Sequence, residues 1–350
     1  MKKRVLIVDD SPSARLALRR VLEGAGFEVV GEATSVGQAL TSARALSPDL
    51  VTMDMQLGDE DGLDAARAIM LEVPTPIVIV TGLERSGLAF RATEVGALDV
   101  LSKPPLGSDE RSARARQRFV AALSALSEVK LIGARRRSSS PAASVDTPPR
   151  HSPSLPPLCV LGASTGGPTA LRTVLQALPN PFPGALVIVQ HIEVGFGPSF
   201  AAWLESSAGH PTRLVTGPEL LRGGNVYIAP DHAHLCYGVG DVLRPTPGEP
   251  RRFHRPSIDV FLESIPVWRA RSTVAAILTG MGDDGAAGLL RLRQHGALTL
   301  VQAPESCVVS AMPDAALALG AAARTVSLDR LGREITKLIG QLPLGLELPS

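Results

Sequence analysis

Short apolar runs and helix-periodic stretches alternate along the chain, and this alternation predicts parallel α/β sheets. Residues 5–8 are an apolar run of strand length that ends at Asp9 and Asp10. Ser11 can cap the helix that follows, and Pro12 suits its first turn. Ala14, Ala17, Leu18, Val21 and Leu22 mark the buried face of that helix, and Arg15, Arg19 and Arg20 its wet face. The same alternation predicts further strands over 27–31, 50–53, 77–80 and 99–101, with helices over 36–43, 62–70 and 89–95. A last helix over 108–126 turns Phe119, Val120, Leu123 and Leu126 to one side and carries Arg111, Arg114, Arg116 and Arg118.

From residue 135 to 157 the pattern lapses into Ser, Pro and Arg, which reads as a flexible tether. Beyond it the alternation resumes. Residues 158–161 form an apolar strand, followed by Gly162-Ala163-Ser164-Thr165-Gly166-Gly167. A helix then places Leu171, Val174, Leu175 and Leu178 on one face. Further buried strands are expected over 185–189 and 273–278. The chain therefore divides into a first domain over 1–122, a linker over 123–154 and a second domain over 155–345. Both domains are expected to be doubly wound, mainly parallel α/β sheets, the first flavodoxin-like and the second Rossmann-like.

Composition narrows the class. A length of 350 residues suits two domains, and 45% hydrophobic content with 3% aromatics suits soluble α/β units. The net charge of +1 gives no bulk electrostatic reason to bind nucleic acid or membrane. The basic cluster Arg135-Arg136-Arg137 reads as a solvated part of the tether. Cys159, Cys236 and Cys307 lie far apart and imply neither a disulfide framework nor a metal site. No apolar run approaches the ~18 residues of a membrane span, and the N-terminus lacks a signal-peptide core. A cytoplasmic location is expected.

In the first domain the polar residues gather at strand ends. Asp9, Asp10, Asp54, Thr81 and Lys103 all follow predicted strands, and in an open α/β sheet those ends share the ligand-binding edge. Three adjacent carboxylates repel one another unless a cation joins them, and Mg²⁺ is the natural partner for such oxygens. Asp54 would accept a phosphoryl group, Thr81 would contact it through its hydroxyl, and Lys103 would supply counter-charge. Asp9-Asp10, Asp54 with Asp61-Gly62, Thr81-Gly82 and Ser102-Lys103-Pro104 make this half resemble a response-regulator receiver domain. The resemblance implies phosphorylation of Asp54 by a histidine kinase, with Mg²⁺ held by Asp9, Asp10 and Asp54. In that family the bond before the proline at Lys103-Pro104 is often cis. The stretch 55–60 lacks the usual Met-Pro pair, and Val100 stands where a switching aromatic is common.

In the second domain, strand, glycine turn, serine and helix form the geometry that exposes a nucleophilic hydroxyl beside free N–H groups. The same turn also suits a phosphate cradle. Gln190-His191 ends the 185–189 strand, and Thr279-Gly280-Met281-Gly282-Asp283-Asp284-Gly285 follows the 273–278 strand. If the sheet is parallel, Ser164, His191 and the aspartate pair meet at one edge. A serine needs a base of near-neutral pKa, and that base needs a carboxylate to fix its tautomer. His232, His234, His254 and His295 compete for the base role. His232 and His234 alternate in a hairpin-like segment, but no third ligand has metal-site spacing. His254-Arg255-Pro256-Ser257 can line a substrate cleft. The literal G-x-S-x-G invites an α/β-hydrolase reading, but that fold places its histidine last, whereas His191 follows Ser164 closely.

Several blocks in order carry a more specific likeness. They are residues 162–168, Gln190-His191, residues 225–230, His254-Arg255-Pro256-Ser257, residues 278–285 and residues 306–313. Together they make the second domain resemble the catalytic domain of the CheB-type chemotaxis methylesterases. The resemblance implies hydrolysis of glutamate γ-methyl esters on chemoreceptors, with release of methanol and deamidation of receptor glutamines. It implies Ser164 as nucleophile, His191 as base and Asp284, rather than Asp283, as acid. Thr165 and the Met281 N–H would line the oxyanion side. The hydrolysis itself would need no cofactor. The partners implied are methyl-accepting chemoreceptors and a chemotaxis-type kinase, with no nucleic acid and no membrane insertion. His191-Ile192-Glu193-Val194 departs from the His-Met-Pro-Pro usual there. Two other classes stand beside this one. A phosphate-binding regulator would lack a P-loop lysine, and a DNA-binding regulator would need a basic helix-turn-helix output.

Overall fold

The structure is a computed structural model, and it describes residues 2–82, 89–129 and 155–342. The chain separates into two compact units, Met1–Ile132 and Gly133–Ser350. The tether expected over 135–157 lies almost wholly outside the described residues. The first residues assigned to the linker belong instead to the helix Glu110–Leu126, whose apolar Leu123 and Leu126 are fully buried. That burial carries the first unit past the boundary expected at 122.

The first unit is built on strands β1 (Arg4–Val8), β2 (Glu28–Ala33) and β3 (Leu50–Met53). A small antiparallel pair follows, β4 (Gln56–Leu57) with β5 (Glu60–Asp61), and then β6 (Ile77–Thr81) and β7 (Asp99–Ser102). The five long strands form one parallel sheet in the order β2-β1-β3-β6-β7. Helices Pro12–Gly24, Val36–Leu46, Gly62–Glu72 and Glu110–Leu126 accompany it. Ser11 caps the first of these, accepting the Ala14 N–H at 3.4 Å. β3 is buried along its whole length, as a strand covered on both faces must be. Residues 90–95 form a 3₁₀ helix rather than the α-helix expected over 89–95. Gly96, in the left-handed region at φ 108°, ends it within one short segment. Lys103–Pro104 is trans, since the cis peptides among the described residues are Asn180–Pro181 and Arg255–Pro256.

The second unit contains β8 (Leu158–Ala163), β9 (Ala185–Gln190), β10 (Thr212–Leu214), β11 (Glu219–Leu220) and β12 (Val226–Ile228). It continues with β13 (His234–Gly238), β14 (Val242–Thr246), β15 (Thr273–Ile277), β16 (Leu298–Gln302) and β17 (Arg324–Val326). Seven of these make a parallel sheet in the order β10-β12-β9-β8-β15-β16-β17. The strand order reverses at β8, so β8 has β9 on one side and β15 on the other. Ligands bind at the carboxyl ends of strands beside such a switch point. β11, β14 and β13 form a separate antiparallel sheet, foreshadowed in the sequence only by the hairpin-like segment around His232 and His234. Val160, Val187, Tyr227, Leu235, Phe261, Leu289 and Met312 belong to one continuous core that ties the large sheet to the small one.

Candidate active site

Strand register delivers the key side chains of the second unit. Ala163 at the end of β8 pairs with Gln190 at the end of β9, so Ser164 and His191 leave neighbouring strands at the same level. The His191 N–H donates to the Ala163 carbonyl at 3.0 Å, and the Ser164 N–H donates to the Thr279 carbonyl at 3.0 Å. Gln190 braces the pair from within, its amide donating to the carbonyls of Ser164 and His191 at 2.9 Å each.

Two glycines are required here. Gly166, which precedes the helix Gly167–Gln176, has φ 76°, and a Cβ on it would meet Val308 at 2.6 Å. Gly280 follows β15, and a Cβ there would strike the Met312 sulfur and lie 2.7 Å from the Ser164 Cβ. Gly280 thus lets the 279–285 loop close on Ser164, and Met281 is the next residue along that loop. Thr165, beside Ser164, is buried, and its carbonyl accepts the Thr279 hydroxyl at 3.0 Å.

Asp284 is 1% exposed and fully engaged. Its Oδ2 accepts from His191 Nε2 at 2.8 Å and from the Ile258 N–H at 2.7 Å. Its Oδ1 accepts from the Ser257 hydroxyl at 2.8 Å and the Asp259 N–H at 3.1 Å. Burial alone would raise the pKa of this carboxyl. The hydrogen bond and charge of His191, with the Ile258 N–H and the Ser257 hydroxyl, outweigh burial and hold it far below the usual carboxylate range. An ionised carboxylate only accepts, so the shared proton sits on His191 Nε2. The other ring nitrogen, Nδ1, is buried with no hydrogen-bond partner among the described residues. The Ser164 hydroxyl likewise makes no hydrogen bond to His191 among the described residues. Such contacts are often loose until substrate binds.

Adjacent Asp283 turns the other way. It is exposed and pairs with Arg252. His254 lies flat on His191, ring centroids 3.8 Å apart and planes within 6°. Of the other competitors, His232 pairs with Asp231 at 3.1 Å, and His295 contacts its own helix at the Arg291 carbonyl, 2.8 Å away. His234 is buried between the Ser257 N–H and the Glu249 carbonyl. Sequence reasoning missed the parts played by His234 and Ser257. The pattern of Ser257 before an apolar helix signals a cap, and Ser257 does cap Ile258–Ser264.

The first unit has its own polar centre. Val8 pairs with Met53 and Thr81 with Ser102, so Asp9, Asp54, Thr81 and Lys103 come to one edge. One carboxylate oxygen each from Asp9, Asp10 and Asp54 lies within 4.8 Å of the others. Lys103 Nζ stands 2.7 Å from Asp9 and 2.6 Å from Asp54. Burial would lower the Lys103 pKa, but its hydrogen bonds and ion pairs with Asp54 and Asp9 leave it raised. Burial keeps the Asp9 carboxyl raised despite Lys103. One ammonium against three carboxylates leaves negative charge uncompensated, and an all-oxygen donor set of this kind suits a hard divalent cation. The Thr81 hydroxyl is buried there without a hydrogen-bond partner among the described residues.

Fold and sites define a response regulator whose receiver precedes a methylesterase-type α/β unit. Residues 5–111 match the response regulator receiver domain, and residues 159–335 match the CheB methylesterase family. The protein-glutamate methylesterase/protein-glutamine glutaminase 1 of Syntrophus aciditrophicus is 38% identical, covering 97% of this chain and 99% of that protein. Enzyme 4 of the same name from Geobacter metallireducens is 39% identical, covering 96% and 98%. The crystal structure of the Thermotoga maritima CheB methylesterase catalytic domain aligns with a TM-score of 0.50 at 31% identity, covering 52% of this chain and 98% of that one. The chain belongs to the CheB methylesterase family. No helix among the described residues is long and apolar enough to cross a membrane.

Proposed function

We propose that this chain is a phosphorylation-regulated protein-glutamate methylesterase that also deamidates protein glutamines. The reading rests on near full-length similarity to relatives bearing those activities in their names. The observation that carries it chemically is the His191–Asp284 pair beside Ser164 at the β8/β9 edge.

In the proposed reaction the Ser164 oxygen attacks the ester carbon of a glutamate side chain. His191 Nδ1 takes the serine proton, while Asp284 stabilises the resulting imidazolium through Nε2–H. Thr165 and the Met281 N–H line the side on which the oxyanion develops, with the N-terminus of Gly167–Gln176 adding its dipole. Collapse of the tetrahedral species breaks the C–O bond, and His191 returns the proton to the departing methoxide as methanol. Water then attacks the acyl-enzyme, His191 taking its proton and handing it to Ser164. With a glutamine the same steps release ammonia.

In the first unit Asp54 is the phosphoryl acceptor, with Asp9 and Asp10 completing a Mg²⁺ site. Bound Mg²⁺ would neutralise charge on the incoming phosphoryl group. Thr81 offers its hydroxyl to the phosphoryl oxygens, and Lys103 exchanges its Asp54 contact for one of them. The substrate is a methylated chemoreceptor, the phosphodonor is a chemotaxis-type histidine kinase, and both reactions take place in the cytoplasm. The test is methanol release from methylated receptor membranes with and without a phosphodonor. Release that rises with phosphodonor supports the reading, and no release from folded protein contradicts it.

A further inference from the structure

We propose that His234 and Ser257 are positioning residues for the triad acid, holding the turn that aims Asp284 at His191. The inference rests on the triad reading above and adds the device that aligns it.

Three of the four donors to Asp284 come from consecutive residues: the Ser257 hydroxyl, the Ile258 N–H and the Asp259 N–H. The fourth is His191 itself. The carboxylate therefore sits where the turn 257–259 puts it. His254, earlier in the same segment, covers the face of His191 at 3.8 Å. One short segment thus sets the edge contact of the base through Asp284 and its ring plane through His254.

His234 fixes that segment from behind. Its Nδ1 accepts the Ser257 N–H at 3.2 Å, and its Nε2 donates to the Glu249 carbonyl at 2.9 Å. A ring that accepts at Nδ1 and donates at Nε2 is neutral, with its proton on Nε2. His234 begins β13, opposite Thr246 on β14, so the small antiparallel sheet is the anchor. The Ser257 hydroxyl spends its proton on Asp284, and its lone pair accepts the Val260 N–H at 3.3 Å. His234 is 5% exposed and Ser257 0%, so neither N–H nor hydroxyl can turn to water instead. Without the His234 acceptor, the Ser257 N–H is buried unpaired, and the turn must shift to satisfy it.

The test uses the full chain on methylated receptor membranes, with methanol release giving kcat and KM and thermal unfolding reporting the fold. Ser257→Ala should lower kcat roughly 10- to 100-fold, the worth of a hydrogen bond to a buried charge, with KM within about twofold. His234→Gln can reach Glu249 but lacks the acceptor near the backbone, and should lower kcat similarly. His234→Asn places Oδ1 where Nδ1 stood and should keep kcat within about threefold of wild type. Wild-type kcat in Ser257→Ala and His234→Gln would overturn the proposal, as would equal loss in His234→Asn and His234→Gln, which would mark a packing role. If a variant fails to fold, the others decide. If the wild type releases no methanol, the functional reading fails first. The low-field proton resonance of the His191–Asp284 hydrogen bond then still reads the alignment. It should move in Ser257→Ala, and an unmoved resonance would overturn the proposal.

Discussion

Two buried aspartates beyond the carboxyl ends of parallel strands meet opposite fates in this molecule. Asp9 in the first unit keeps a raised pKa because burial outweighs the help of Lys103 and the Ser11 N–H. Asp284 in the second is buried as deeply, yet its carboxyl is held far below the ordinary range. The difference lies in the donors. Asp284 has four, filling both oxygens, whereas Asp9 shares one ammonium with Asp54 and faces Asp10. The carboxylate of the second site is fully satisfied as folded, and in the proposed reaction it would stabilise an imidazolium. The first site is under-compensated, and a bound divalent cation would supply the missing positive charge. Preorganisation suits a site that performs chemistry repeatedly, and unresolved charge suits one that must change state.

The sharpest attack on this contrast is to remove the nucleophile. Ser164→Ala should lower methanol release by a factor on the order of 10⁶ while leaving unfolding temperatures unchanged, and His191→Gln should be comparable, since such residues act as a unit. Next in size is the acid. Asp284→Asn should cost about 10⁴ in turnover by analogy with the reference triad. Asp283→Asn, which loses only an exposed pair with Arg252, should stay within about fivefold of wild type. The reverse ranking would misplace the acid by one residue.

Asp54→Asn should sharpen the contrast from the other side. It should leave basal turnover intact and abolish the response to a small-molecule phosphodonor. The smallest effects concern stability against pH. The folded-state pKa of Asp9 lies above its ordinary value of 3.8, so the folded form binds the extra proton and this contribution to stability falls as pH rises above 3.8. That of Asp284 lies below 3.8, so its contribution is present above 3.8 and is lost as pH falls through the folded value. Melting curves across acid pH should therefore show opposite slopes from the two groups. Asp9→Asn should remove one slope and Asp284→Asn the other.

Much of this was legible in the sequence. The strand-length apolar runs located both sheets, and the strand-end rule gathered Asp9, Asp54, Thr81 and Lys103, then Ser164 and His191. What spacing could not decide was direction. Asp283 and Asp284 are equivalent by position. Their contacts in space separate them: Asp284 meets His191 and the N–H groups of Ile258 and Asp259, whereas Asp283 pairs with Arg252. The ion pair of buried Arg269, 0% exposed, with Asp241 was invisible for a similar reason, because Asp241 is remote in sequence. The antiparallel sheet was hidden by short strands such as Glu219–Leu220, which are too brief to show alternation. His234 was read as a weak metal candidate because its true partners are backbone atoms, which leave no mark on residue type.

The most direct test of the central claim, that the second unit is a preorganised serine hydrolase site, is covalent labelling of the full chain by a fluorophosphonate, mapped by peptide mass spectrometry. The account predicts a single adduct on Ser164, absent in Ser164→Ala and formed far more slowly in His191→Gln. An adduct elsewhere, or none on folded protein that still releases methanol, would contradict it.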